Sequence, residues 1–221
     1  MFGRIAHRYD LLNRLLSLGR DQAWRCLLAK RVAEAGPGLV IDVCTGTADV
    51  ALSFSGRQGS STEVLGTDFC LPMLSLARQK ILAKGRRLPL FAADALQLPL
   101  PGEKVDVVTV AFGVRNFEDL DRGLAELVRI LRPEGRLMIL EFSQPSGPLA
   151  PLMRLWEATV PPRIGRWISG DPEAYAYLPD SVARFPSGEE MLRRLETAGL
   201  SRTSFRRLTG GVASLYEGVK E

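Results

Sequence analysis

The chain has 221 residues, 46% hydrophobic and 24% charged, which suits one folded unit with a sizeable core. This balance excludes disordered, collagen-like and low-complexity chains, and no run of about 18 apolar residues is available to cross a bilayer. The formal charge of +4 is uneven: residues 1–31 hold seven Arg or Lys against two Asp, whereas residues 32–144 are slightly acidic. The first ten residues lack the charged-then-apolar layout of a secretion signal. Cys26, Cys44 and Cys70 are too few and too scattered for a disulfide framework or a zinc knuckle, which suits a reducing cytosol.

In the N-terminal arm, Ile5, Leu12, Leu15, Leu16 and Leu18 are interleaved with Arg4, Arg8, Arg14 and Arg20. The pattern reads as an amphipathic helix packed on its own domain with a solvated basic face; the sharper alternative is a lid that touches a membrane surface. Residues 38–43 are a short apolar run after a Pro-Gly breaker and predict a buried strand. A glycine turn and a helix over 48–55 follow, then a strand over 63–68. Pro72 opens a helix that Gly85 stops. Further strands are expected at 88–93, 105–112 and 136–142, with a helix over 119–131 that has acids in its first turn and basic residues in its last. After 145 the chain is rich in Pro, Gly and aromatics. A helix over 188–198 then precedes two strands, 202–208 and 213–219, joined by Thr209-Gly210-Gly211. This alternation predicts an α/β fold with a mostly parallel sheet, ligands at the carboxyl ends of its strands, and an antiparallel hairpin at the end.

Chemistry-bearing residues gather at those strand ends. The first loop runs from Asp42 to Asp49 around Gly46 and Thr47, without the three-glycine dinucleotide pattern or the Gly-Lys-Ser/Thr of triphosphate loops. Asp68 ends the second strand, where an acid serves either as a ribose ligand or as a helix cap. Asp94 and Ala95 end the third strand, where the choice is between an adenine contact and an ordinary turn. Arg115 and Asn116 follow the fourth strand, and capping a helix is the bland use of Asn116.

Several segments then carry a resemblance. Thr45-Gly46-Thr47-Ala48-Asp49, Thr67-Asp68, Ala93-Asp94-Ala95 and Leu131-Arg132-Pro133-Glu134-Gly135 resemble the successive motifs of S-adenosylmethionine-dependent methyltransferases with the seven-stranded Rossmann-like fold. Arg8-Tyr9-Asp10, Phe112-Gly113-Val114-Arg115-Asn116, Leu140-Glu141-Phe142-Ser143 and Tyr177-Leu178-Pro179-Asp180-Ser181 are similar to the quinone-biosynthesis C-methyltransferases of the UbiE/MenG/Coq5 type. The family usually has glycine where this chain has Ala48, so a methyl is expected to crowd the methionine end of the cofactor.

The resemblance implies S-adenosylmethionine as cofactor, held by Gly46 and Thr47 at the methionine, Asp68 at the ribose and Asp94 with Ala95 at the adenine; Ala111 sits where the family has a small residue. It implies a prenylated quinol as acceptor, methylated at a ring carbon once a phenolic proton leaves, with no metal. Arg115 is expected to stabilise the phenolate, Asn116 to assist through water, and Tyr9 to orient the ring; His7, the only histidine, is set aside as base. The arm is taken as residues 1–36. Residues 37–221 are taken as the catalytic domain, with a substrate cover at about 145–186. A demethylated menaquinone precursor is preferred to a ubiquinone precursor because the chain is short and starts close to its first motif. No nucleic-acid partner is expected. The protein is expected in the cytoplasm with transient contact to the inner membrane face, and a homodimer is left open. The rivals are a dinucleotide oxidoreductase, a nucleic-acid methyltransferase and a non-catalytic binder.

Overall fold

Glycines in left-handed conformation, Gly19 and Gly36, bracket helix α1 (Arg20–Ala35). Its apolar positions Trp24, Leu28, Ala29 and Val32 fall on one face and are buried. The computed structural model describes residues 17, 19–54, 62–145 and 180–221. Tyr9, most of the amphipathic arm and most of the expected substrate cover therefore lie outside the described residues. After α1 come β1 (Leu39–Val43), α2 (Asp49–Phe54), β2 (Glu63–Asp68), α3 (Leu71–Ala83), β3 (Leu90–Ala92) and β4 (Val105–Ala111). A 3₁₀ turn (Val114–Asn116), α4 (Leu120–Ile130), β5 (Leu131–Phe142), α5 (Glu189–Thr197), β6 (Leu200–Leu208) and β7 (Ala213–Lys220) complete the order.

The seven strands form one sheet in the order β3-β2-β1-β4-β5-β7-β6. The pairs among β1 to β5 are parallel, and β7 runs antiparallel to both β5 and β6. The expected terminal hairpin is therefore present. The chain order reverses at β1, which lies between β2 and β4, so a crevice opens beyond the carboxyl ends of these strands. Both faces of the sheet are covered, and so β1 is buried nearly throughout: Val40 packs with Trp24, Leu28 and Phe54 on one side, Ile41 and Val43 with Leu124 and Leu127 on the other.

Strand β6 starts at Leu200 rather than 202, and two further boundaries differ from expectation. Strand β3 is shorter than the apolar run 88–93, because it pairs only with β2 over Gly66–Asp68. Strand β5 starts at Leu131 rather than 136. Leu131 pairs with Val105, and the register resumes at Arg136 opposite Val107, so Arg132 to Gly135 bulge from the ladder. Glycine is required there: a methyl on Gly135 would lie 2.7 Å from the Arg132 carbonyl oxygen. Helix α4 follows its sequence signals closely. Asp119 accepts a bond from the Arg122 N–H, Asp121 is in the first turn and Arg129 in the last.

Candidate functional site

A cavity of about 320 Å³ lies at the carboxyl ends of the central strands. Its wall brings together Gly46 and Thr47 from the β1–α2 loop, Asp68 from β2, Asp94 and Ala95 beyond β3, and Asn116 beyond β4. Ala111 also reaches it. Arg115 is not among the lining residues.

The β1–α2 loop alternates left-handed residues: Cys44 (φ 56°), Gly46 (φ 55°) and Ala48 (φ 65°). Only Gly46 takes this conformation without cost; a residue with a β-carbon loses about 1 kcal/mol. Bonds to the end of β2 hold the loop in place. The Thr45 N–H donates to the Thr67 carbonyl at 2.9 Å, and the Gly46 N–H to Asp68 Oδ2 at 2.8 Å. The other Asp68 oxygen accepts from the Cys70 N–H at 2.8 Å, at the start of α3. Asp68 thus serves the helix entry and faces the cavity at once. Burial raises its pKa above the ordinary carboxylate value, against the bonds from Cys70 and Gly46.

Ala48 is fully buried in the core and does not line the cavity. Its methyl therefore points away from the space it was expected to crowd, and its cost is backbone strain. Ala48→Gly is expected to leave cofactor affinity unchanged in calorimetry; a tighter complex would show that the methyl does crowd the ligand.

Beneath the loop, Asp42 accepts hydroxyl bonds from Thr45 and Thr109, each at 2.7 Å, and is buried. Burial outweighs these bonds and pushes its pKa from 3.8 to about 6. A folded-state pKa above the unfolded one means the native protein holds the proton more tightly. This stabilisation is complete below the unfolded value and is lost as pH rises through about 6. The stability of Asp42→Asn relative to wild type should therefore shift in the variant's favour by about 2 kcal/mol between about pH 4 and about pH 7. Urea denaturation at both pH values measures it, and a pH-independent difference would contradict the raised pKa.

Arg25, which the sequence did not single out, lines the cavity from α1. Its Nη1 donates to Asp49 Oδ2 at 3.0 Å, and Asp21 Oδ2 stands 3.6 Å from its Nε. The Nε is buried and makes no hydrogen bond. Lys80 of α3 closes the same network, donating to Asp49 Oδ1 at 2.6 Å and Thr47 Oγ1 at 2.9 Å. Arg25 is the one basic residue among the described residues that line the cavity. Asp21 stands four residues before it on the same helix, but Asp49 becomes its neighbour only when α1 packs beside α2.

The turn after β4 is close-packed. Phe112 has a left-handed φ of 59°, and its ring packs, tilted, with its centre 4.5 Å from that of Phe142 and 6.3 Å from that of Trp24. A methyl on Gly113 would lie 2.4 Å from Cys44 Cβ. Gly113→Ala is thus expected to push the two strand-end loops apart and to weaken cofactor binding at least about tenfold, since interiors have no slack. Cys44→Gly in the same chain removes the clashing atoms and should restore most of the affinity. Failure of that rescue would mean the clash is not the cause.

Arg115 runs inward from this turn. Its Nη1 donates to Glu141 Oε1 and to the Phe112 carbonyl, both at 2.6 Å, with side-chain exposures of 4% for Arg115 and 0% for Glu141. Its guanidinium also lies 5.4 Å from the Phe142 ring centre. Asn116, the next residue, faces the cavity while Arg115 anchors the turn from behind. Glu141 is the partner sequence reasoning missed; the signal was a lone acid inside the apolar run 137–142. At the third strand end, the Asp94 side chain accepts from the Leu96 N–H at 2.9 Å, so the ordinary turn and a cavity-facing position coexist. No group of three metal-ligating side chains exists among the described residues.

This arrangement can hold an extended ligand with hydroxyls at Asp68 and an anionic end at Arg25. The ubiE/COQ5 methyltransferase family model matches residues 1–220. A demethylmenaquinone methyltransferase of Deinococcus radiodurans is 47% identical over 221 residues, covering 100% of this chain and 91% of that protein. One of Thermus thermophilus is 45% identical, covering 99% of each. Among solved structures, an S-adenosylmethionine-dependent methyltransferase of Thermotoga maritima aligns with a TM-score of 0.69 at 19% identity over 100% of both chains, a likeness of fold. With the sheet order, the rim cavity and a full-length match together, the chain belongs to the ubiE/COQ5 methyltransferase family.

Proposed function

We propose that this protein methylates a ring carbon of a prenylated quinol, demethylmenaquinol, to give menaquinol. The observation that carries this reading is the end-to-end identity of 45–47% to two relatives named demethylmenaquinone methyltransferase. The family's donor, S-adenosylmethionine, fits the residues at hand. Each Asp68 oxygen takes one backbone N–H and keeps a lone pair for a ribose hydroxyl. Arg25 is the basic side chain of the lining, and although Asp49 and Asp21 share its charge, its Nε keeps a donor without a hydrogen bond for a carboxylate. When bound, the donor supplies an electrophilic methyl on a positively charged sulfonium.

Every other contribution comes from the chain. Gly46 and Thr47 hold the methionine end, Asp68 the ribose, and Asp94 with the Ala95 backbone the adenine. Asn116 faces the acceptor and hydrogen-bonds its ring hydroxyl, or a water that carries the phenolic proton away. Tyr9 orients the ring. Arg115, paired with Glu141, is a positioning residue that keeps the Asn116 turn rigid, in place of the direct contact with phenolate expected from the sequence. Holding donor and acceptor in attack geometry supplies most of the acceleration, because the leaving group is already activated.

No helix of the described residues is long and apolar enough to cross a membrane. A prenyl tail resides in a bilayer, and we assign the protein to transient contact with the inner membrane face. The test is incubation of purified protein with methyl-labelled S-adenosylmethionine and chemically reduced demethylmenaquinone. Labelled menaquinone is expected on extraction. Label transfer to a benzoquinol but not to the naphthoquinol would shift the assignment to a ubiquinone precursor, and transfer to neither would overturn it.

A further inference from the structure

Between Phe69 and Ala93 the chain carries five Arg or Lys and no acidic residue. Lys80 turns inward to Asp49 and Thr47. The other four, Arg78, Lys84, Arg86 and Arg87, are exposed. The same stretch holds the exposed large hydrophobic side chains of the described residues: Phe69 at 79%, Leu71 at 65% and Leu82 at 68%. Leu71 and Leu82 are separated by about three helical turns and so share the outward side of α3, with Arg78 between them. The buried side of the helix is Met73, Ala77 and Ile81. Phe69 borders the cavity, so the patch is continuous with its rim.

We propose that this outward face of α3, with Phe69 at one end and Arg86 and Arg87 at the other, docks on an anionic lipid surface. The inference rests on the reading that the substrate carries a prenyl tail. A leucine-bearing helix face with Arg78 on it and further exposed cations just past its end, with no acid in the stretch, matches a bilayer boundary: the leucines enter the acyl edge and the cations meet the phosphates. A duplex nucleic acid would use the cations but not the leucines. Because Phe69 stands at both the patch and the cavity rim, docking in this way holds the cavity against the layer in which a prenyl tail resides. The N-terminal arm, where the net charge is concentrated in sequence, is not required for this contact.

The experiment is vesicle flotation of the full chain with phosphatidylglycerol–phosphatidylcholine vesicles and with phosphatidylcholine alone. Two variants are compared with wild type, Leu71→Ser with Leu82→Ser, and Arg78→Gln with Lys84→Gln and Arg87→Gln. None of these side chains belongs to the cavity. Wild type should float with the anionic vesicles and be released by salt. Each variant should bind at least about tenfold more weakly, since every surface cation contributes about a fivefold factor, while turnover of a short-tailed quinol in solution stays at the wild-type rate. Undiminished flotation of both variants would overturn the proposal, as would equal binding to phosphatidylcholine alone. A duplex oligonucleotide bound by wild type and lost in the charge variant, without flotation, would assign the patch to nucleic acid and overturn it too. Intact, patch-dependent flotation with no methyl transfer to any quinol would sink the substrate reading and leave the docking surface standing.

Discussion

Asp68→Ala weakens S-adenosylmethionine binding by at least about 100-fold, the largest loss expected from any single side chain in the cavity. The carboxylate does two jobs that share its oxygens. It accepts the Gly46 N–H and the Cys70 N–H, each at 2.8 Å, and so ties the β1–α2 loop to the start of α3. Its remaining lone pairs face the cavity. Hydrogen bonds to a charged acceptor contribute about 1.5–3 kcal/mol each, and truncation also strands two backbone donors. Asp68→Asn keeps the shape but turns an amide NH2 toward one of two N–H donors, so it should recover only part of the loss. Calorimetric titration of both variants measures this, and a loss under about tenfold would remove Asp68 from the cofactor site. Burial has already raised its pKa, so wild-type affinity should fall on acidification from a higher pH than an ordinary aspartate would give. Protonation removes the charge on which the acceptor strength depends.

Glu141→Ala destabilises the fold by about 3–5 kcal/mol, because it leaves the Arg115 guanidinium buried without its counter-charge. Glu141 also accepts the Phe142 N–H at 2.8 Å and the Arg115 N–H at 3.3 Å, so three donors lose their acceptor together. Urea denaturation reads the loss, and a change under about 1 kcal/mol would show that the site collapses or hydrates without strain. The same variant separates two roles for Arg115. A positioning residue works only through its partner, so Glu141→Ala and Arg115→Ala should reduce turnover of folded protein by similar factors. An Arg115 that touched the phenolate would make Arg115→Ala far the more damaging of the two.

The resemblance drawn from short segments and the full-length family match agree, and the two rest on different amounts of sequence. The Phe-Gly-Val-Arg-Asn stretch illustrates how far a motif reaches. It located the turn beyond β4 correctly, yet it could not say that Asn116 faces the cavity while Arg115 turns to Glu141 across 26 residues of chain. The same holds for Ala48, whose identity is visible in the sequence but whose methyl direction depends on a left-handed φ.

Local signals determined the order of elements, because hydrophobic period, Pro72 at a helix start, Asp119 at a cap and the Thr209-Gly210-Gly211 turn each act within a few residues. They also determined which acids stand at strand ends, since a strand that is buried on both faces must stop where polar residues begin. Only the tertiary structure decided the pairings: Asp42 with Thr109, Arg25 with Asp49, Arg115 with Glu141. It alone decided which side of α3 is buried, Met73, Ala77 and Ile81, and so left Leu71, Arg78 and Leu82 exposed. Charge and burial act through space, and residues far apart in the chain share a dielectric environment only after the sheet has brought them together.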